Sequence, residues 1–242
     1  MRNGLSLIEI SIVFVAIGII TAGVLIAQGI IETSKVNGFV KKMQQIDLAV
    51  TNFRDSYRCL PGDSNVFSVP GNCDNVLDGT PDFVDEVANF WVHLNAGDFF
   101  PEGETTNYTA TVTGQVEPGI NIPSTDFSPD LGILATSDTS ESPHKLTYMI
   151  TAFEEGSDTS IDGGLSYDPG TAIDLHIALA IDTKIDDGLP RTGIVRALMW
   201  DTPNQAWLIA GVMNDCAPNG QNVYDIDNAT DCQMVIEMLS LY

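Results

Sequence analysis

The sequence predicts an α+β fold: one long N-terminal α-helix packed on a small antiparallel β-sheet with long loops. Three observations carry this. Residues Leu5 to Ile31 are nearly all apolar, with Glu9 the one charged side chain. An apolar stripe then continues at helical spacing to Tyr57, and no proline interrupts Leu5 to Leu60. Beyond that point the chain breaks into short alternating segments separated by Gly, Pro, Asn, Asp, Ser and Thr, the chemistry of strands and turns.

The helix has two halves. An apolar run of about 20 residues is long enough to cross a bilayer, and Arg2 on its short side fits a cytoplasmic N-terminus. A cleaved secretory signal has a shorter apolar core, about 7–15 residues, with a small-residue cut site after it. In the second half Val36, Phe39, Val40, Met43, Ile46, Val50, Phe53 and Tyr57 recur at steps of three, four and seven, which is one face of an amphipathic helix. Lys35, Lys41, Lys42, Gln45, Asp47 and Arg54 fall on other faces. Membrane segment and stripe together predict one helix of about 50 residues, roughly 80 Å long. Pro61 and Gly62 stop it near Arg58. The resulting division is a short leader at 1–4, an apolar half at 5–31, an amphipathic half at 32–58 and a globular domain at 59–242.

Within that domain, residues 61–82 read as loop. Val87, Ala88, Phe90, Trp91 and Leu94 predict a helix over 85–96, closed by Gly97. Residues 101–142 are rich in Thr, Gly, Pro and Ser and read as loops with one strand at 108–115. A strand is expected over 144–153. For 174–185 the alternation of Leu175, Ile177, Leu179 and Ile181 competes with a helix capped by Asp174, and the helix is preferred because Lys184 and Gly188 suit its end. A hairpin is expected from 193–201 and 205–213, and the tail from 214 to 242 carries the last two cysteines.

Charge is as uneven as hydropathy. Residues 1–58 carry a net +2 and residues 59–242 a net −25, which makes up the −23 of the whole chain. An acidic surface of this size repels phosphate, so nucleic acid is not an expected partner of the domain. The four cysteines form two local pairs in sequence, Cys59 with Cys73 and Cys216 with Cys232. Disulfides suit an even count in an exported chain, and four cysteines allow three connectivities. The local one closes two short loops, each stabilising by about 3 kcal/mol in the chain-entropy model. Four buried free thiols are the alternative.

Gly4-Leu5-Ser6-Leu7-Ile8-Glu9 resembles the processing signal of type IV prepilins and type II secretion pseudopilins. The resemblance implies a pilin-like fold, cleavage by a prepilin peptidase between Gly4 and Leu5, and N-methylation of Leu5. It also implies a bacterial inner-membrane location, single-pass with the domain in the periplasm, followed by assembly on an inner-membrane platform. The partners it implies are other copies or other pilin-like subunits in a helical filament. Leucine stands where phenylalanine is commonest in that family, and the membrane-segment proline of many pilins is missing. Three blocks extend the likeness to a bacterial subgroup of prepilin-type proteins associated with secretion systems: Tyr57 to Asp63, Ala88 to Leu94 and Ile181 to Pro190.

Glu9 has a physical reading beside the resemblance. A carboxylate in an apolar helix costs several kcal/mol in a membrane and is retained for function by default. In the family its partner is the new, positively charged N-terminus, and such a pair would fix axial register. An interfacial glutamate reaching headgroups is the plainer reading. Gly18, Gly23, Gly29 and Gly38 weaken the helix by about 1 kcal/mol each relative to alanine. They suit either close packing of helices or a segment that stretches on leaving the membrane.

Asp74, Asp78 and Asp82 lie in a loop whose oxygen chemistry suits calcium, and major pseudopilins bind calcium in a loop. Their spacing is not that of an EF-hand, and an ordinary acidic loop is the competing reading. Asp186-Asp187-Gly188 reads as a helix C-terminal turn, and His93 as structural. The sequence contains no G-x-S-x-G, H-E-x-x-H or P-loop pattern, so a non-enzymatic, structural role is expected. That role is a subunit of a secretion pseudopilus, minor or specialised. A pilin of a surface pilus, serving adhesion, motility or DNA uptake, is the alternative. An unprocessed anchored binding domain is the third reading.

Overall fold

The computed structural model describes residues 7–68, 71–77, 83–99, 118–119, 122–128, 131–138, 145–152, 173–201, 206–209, 216–217, 221–226 and 231–238. Its first element, α1 (Leu7–Tyr57), is a single α-helix of 51 residues. It ends because Arg58 adopts a left-handed conformation, φ 64°, while the Arg58 N–H still donates to the Arg54 carbonyl at 2.7 Å. This is the closing geometry usually given to glycine. Pro61 and Gly62 then carry the chain away. Gly62 has φ +89°, and a Cβ there would stand 2.2 Å from the Glu86 carbonyl oxygen, so the turn needs glycine.

The remaining elements are a 3₁₀ turn (Val66–Ser68), α2 (Phe83–Ala96), β1 (Leu131–Asp138), β2 (Lys145–Ala152), the short β3 (Ile173–Asp174), α3 (Leu175–Ile185), β4 (Val195–Asp201), β5 (Ala206–Ile209) and β6 (Asp231–Glu237). The strands form one antiparallel sheet in the order β1-β2-β6-β4-β5, with β3 pairing β6. The chain is therefore α+β, a long helix plus a small antiparallel sheet. The competition over 174–185 resolves as helix: the Asp174 carboxylate accepts from the His176 N–H at 2.8 Å and caps α3.

Two strands lie where composition predicts none. β1 falls inside the Thr/Ser/Pro/Gly-rich stretch 101–142 that reads as loop. β6 falls inside the expected tail, yet it is the middle strand of the sheet. Both follow from burial. Residues 232–238 are buried throughout, so the polar positions Gln233 and Glu237 of β6 mark no solvent face and the strand is covered on both sides. Its Glu237 is carried inside by ion pairs with Lys145 at 3.0 Å and with Arg196, one from each neighbouring strand. The strand expected at 108–115 lies outside the described residues.

The core forms where the second half of α1 meets α2, α3 and the sheet. Val36, Phe39, Met43, Ile46, Val50 and Phe53 of the predicted stripe are buried, with Ala49 beside them. Val40 and Tyr57 are half-buried. Phe53 is the hinge of an aromatic group, 4.7 Å from the Tyr57 ring and 5.5 Å from that of Phe99. Truncating a ring so placed costs about 3–5 kcal/mol. Gly38 admits the loop over α1: a Cβ there would meet Asp126 at 3.1 Å, and nearby Lys42 donates to the Ser124 carbonyl at 3.0 Å.

Two disulfides close the domain, Cys59–Cys73 and Cys216–Cys232, with Cα separations of 5.2 and 5.3 Å. The connectivity is the local one. Cys216 and Cys232 are both buried, whereas Cys73 is exposed. Thiol–disulfide exchange requires access to a sulfur. Under limiting reductant followed by alkylation and peptide mapping, Cys59 and Cys73 should label first, with Cys216 and Cys232 following only on unfolding. Equal labelling of all four would contradict this order.

Candidate functional site

The feature that sets this chain apart from a closed globular domain is the free half of α1. Every described side chain from Leu7 to Lys35 is exposed, among them Ile8, Ile12, Phe14, Ile19, Ile26 and Ile30. The helix is long and apolar enough to cross a membrane, and none of its most apolar window is buried in the molecule. Three of its hydroxyls bond back within the helix: Ser11 donates to the Ile8 carbonyl, Thr21 to that of Ile17 and Thr33 to that of Gly29, each at 2.8 Å. Such back-bonding lets a polar side chain sit in an apolar medium. Glu9, in the first turn of α1, is the charged residue of its apolar stretch up to Ile31. Around Gly18, Gly23 and Gly29 there is open space to 4 Å, so these glycines leave shallow grooves on the free helix. Gly4 and Leu5 lie outside the described residues.

The exposed half is held in place by turns built from carboxylates. Asp63 follows the Pro61-Gly62 stop and is buried. It accepts the N–H groups of Cys73 at 2.7 Å, Asn75 at 2.6 Å and Asp74 at 3.3 Å. Burial nonetheless raises its carboxyl above the ordinary aspartate value, against the pull of these donors. The Gly62 N–H donates to Nδ1 of His93 at 2.8 Å, which makes that nitrogen an acceptor and His93 neutral. His93 is fully buried, stacks on Phe53 at 5.7 Å, and has its pKa lowered to about 4 by desolvation. Two of the sequence blocks therefore meet here, joining the end of α1 to α2.

The third block forms a second carboxylate turn after α3. Asp182 accepts from the Tyr224 hydroxyl at 2.8 Å and the Gly188 N–H at 3.1 Å. Asp186 accepts from Ile194 N–H and, at 3.3 Å, from Val195 N–H. Asp187 accepts from Leu189 N–H at 2.8 Å and the Thr192 hydroxyl at 2.7 Å. Gly193, φ +80°, has no room for a Cβ against Asp186. Burial raises the Asp182 carboxyl to about 6, the Tyr224 hydroxyl opposing the shift and Asp187 and Asp186 adding to it.

These three carboxylates bring ligand oxygens within 4.8 Å of one another, but each is engaged by the turn it closes, as the reading of Asp186-Asp187-Gly188 expects. For the calcium candidates, Asp74 is described: it accepts from Val76 N–H at 2.9 Å and from the Asn72 side chain at 3.0 Å. Asp78 and Asp82 lie outside the described residues.

Sequence reasoning singled out the blocks but missed what Asp63, Asp182 and Tyr224 do inside them. The legible signal for Asp63 was its place after Pro-Gly, where a carboxylate suits a turn. Tyr224 is distant in sequence and carried none.

No family model, curated protein or solved structure matches this chain.

Asp182 and His93 give opposite pH dependences. Asp182 binds its proton more tightly folded (about 6) than unfolded (3.8), so its contribution grows as pH falls from about 7 toward 4. His93 binds its proton less tightly folded (about 4) than unfolded (6.5), so its contribution is lost over the same fall. In thermal melts between pH 7.5 and 4.5, wild type should gain stability relative to Asp182→Asn on acidification and lose it relative to His93→Gln. Parallel pH profiles for all three would contradict the assignment.

Proposed function

We propose that this chain is a structural subunit of a type II secretion pseudopilus, minor or specialised. In this reading it is processed by a prepilin peptidase and assembled through α1. The observation that carries the reading is the continuity of α1. One helix has its second half locked into the domain by a buried stripe and its first half entirely uncovered. An exposed apolar helix of this length is not compatible with a chain free in water. It needs a bilayer, neighbouring copies, or first one and then the other.

The helix geometry favours this succession. A bilayer covers an apolar helix on all sides, and so does a bundle of like helices. The satisfied hydroxyls of Ser11 and Thr21 suit both surroundings. Glu9 makes the two states differ. In lipid its charge is costly. Beside the new N-terminus at Leu5, on the same or an adjacent copy, the charge is paired and the desolvation cost partly offset. Apolar side chains pack in many staggers, so this pair would set the register. The grooves at Gly18, Gly23 and Gly29 would let neighbouring helices approach closely.

The resemblance at residues 4–9 supports the processing step, and the three secretion-associated blocks support the pseudopilus. The role is structural rather than catalytic. The domain would stand in the periplasm while α1 remains in the inner membrane, and would face outward once the assembly platform has drawn the helix into the filament. Its −25 charge suits a soluble outer surface.

Glu9→Leu should leave the protein folded and membrane-bound, since Glu9 is exposed and lies on the free half of α1, away from the core that begins at Val36. Its recovery in the sheared or sedimented filament fraction should fall at least about tenfold, the scale of one lost buried charge pair. Incorporation at the wild-type level would remove the role given to Glu9.

A further inference from the structure

A cavity of about 120 Å³ lies where α1, the end of α3 and the sheet come together. Val40, Met43 and Asp47 of α1 line it, with Tyr148 of β2 and Ile236 of β6. Gln44 of α1 and Lys184 of α3 line it as well, and both are exposed, so the cavity opens to solvent between these two helices. Glu237 also stands at its wall, engaged by Lys145 and Arg196.

Tyr148 is the group that gives the cavity a chemistry. It is fully buried and stands opposite Ile236 in the register of β2 and β6. Its ring packs edge-on against Phe90, with centroids 6.4 Å apart. Among the described residues, however, its hydroxyl has no hydrogen-bond partner. Burial raises the ionisation of this hydroxyl well above the ordinary tyrosine value, so it remains a neutral donor. The Asp47 carboxylate is close enough to add to that shift, yet the pair falls short of hydrogen-bond geometry. Because Asp47 lines the same cavity, the hydroxyl lies at the cavity wall. A buried hydroxyl left without a partner is costly, and folded proteins supply one from the chain or from ordered water.

We propose that this cavity is a buried-water site, in which water bridges the Tyr148 hydroxyl to the Asp47 carboxylate and runs out to solvent past Gln44 and Lys184. Size and chemistry both fit. At ~30 Å³ per molecule the volume holds about four waters. A cavity of similar size lined by apolar side chains alone stays dry. Here a hydroxyl, a carboxylate and an amide stand on the walls, which gives a water the roughly two to four polar partners it needs. The proposal is independent of the assembly reading, because it concerns how the second half of α1 is seated. Phe39, Ile46 and Val50 hold that half by buried apolar contact. At Asp47 the same helix is held to the sheet by directional bonds through water, each nearly as favourable as a direct one.

The test uses the full chain in detergent, with its methionine methyl groups isotope-labelled for NMR. Cross-relaxation between long-lived water and the Met43 methyl group is expected in the wild type. Tyr148→Phe should weaken that cross-peak at least about twofold, since the water loses a ligand. The same substitution should lower the melting temperature by about 2–4 °C, the scale of one lost hydrogen bond in a chain of this size. No cross-peak at Met43 in the wild type means a dry cavity and overturns the proposal. A cross-peak unchanged by Tyr148→Phe shows that the hydroxyl does not hold the water, and a melting temperature raised by that substitution shows that the hydroxyl had no partner to lose. Either result overturns it as well.

Discussion

The buried stripe on the second half of α1 is the constraint on which everything else depends. Phe39, Met43, Ile46, Val50 and Phe53 recur on one face and enter the core against α2, α3 and the sheet. Because an α-helix is stiff and this one has no proline, fixing those residues also fixes the direction of the 29 described residues from Leu7 to Lys35. The domain thereby acts as a mount for a projecting apolar rod. Loosening the stripe would let the rod fold back or swing, and neither state presents a defined surface to a bilayer or a neighbour.

The rest of the domain serves to hold that mount. The helix end is closed by Arg58, by the Cys59–Cys73 disulfide and by the Asp63 carboxylate, which gathers three backbone N–H groups. His93 then ties that turn to α2. On the other side, Asp182, Asp186 and Asp187 close the turn after α3 and reach Tyr224, and the Cys216–Cys232 bond carries the link into β6. Aspartates used in this way give order to long connections without a large apolar core. Part of the acidity of the chain is thus internal scaffolding, and part is an outward surface. The raised carboxyl of Asp182 is the cost of placing a charge where a turn needs an acceptor.

The legibility of the sequence follows the same physics. The long helix, its stop at Arg58 and its buried face were readable because amphipathic periodicity over many turns is a strong signal. α2 and α3 were readable from shorter versions of it, with Asp174 as cap. β1 and β6 were not. β6 alternates Asp231, Gln233 and Glu237 with Cys232, Met234 and Ile236, which suggests one solvated face, yet it is buried on both faces, and its acidic end looks solvated until Lys145 and Arg196 are brought to it from other strands. β1 was hidden by the Ser, Thr and Pro around it. The cysteine pairing was one of three possibilities in sequence and became definite only with the sheet. Of the site, the free apolar half and Glu9 were visible at once. The roles of Asp63, Asp182 and Tyr224 were not, because each depends on partners 6 to 42 residues away.

The central proposal is that the chain is trimmed after Gly4 and enters an assembly through α1, with Leu5 as its new first residue. Intact-mass and N-terminal peptide analysis of the protein recovered from its assembled fraction tests this most directly. The account predicts a chain lacking Met1 to Gly4, with a methylated amino group on Leu5. A chain that retains Met1 throughout would contradict it and leave the free half of α1 as a plain membrane anchor.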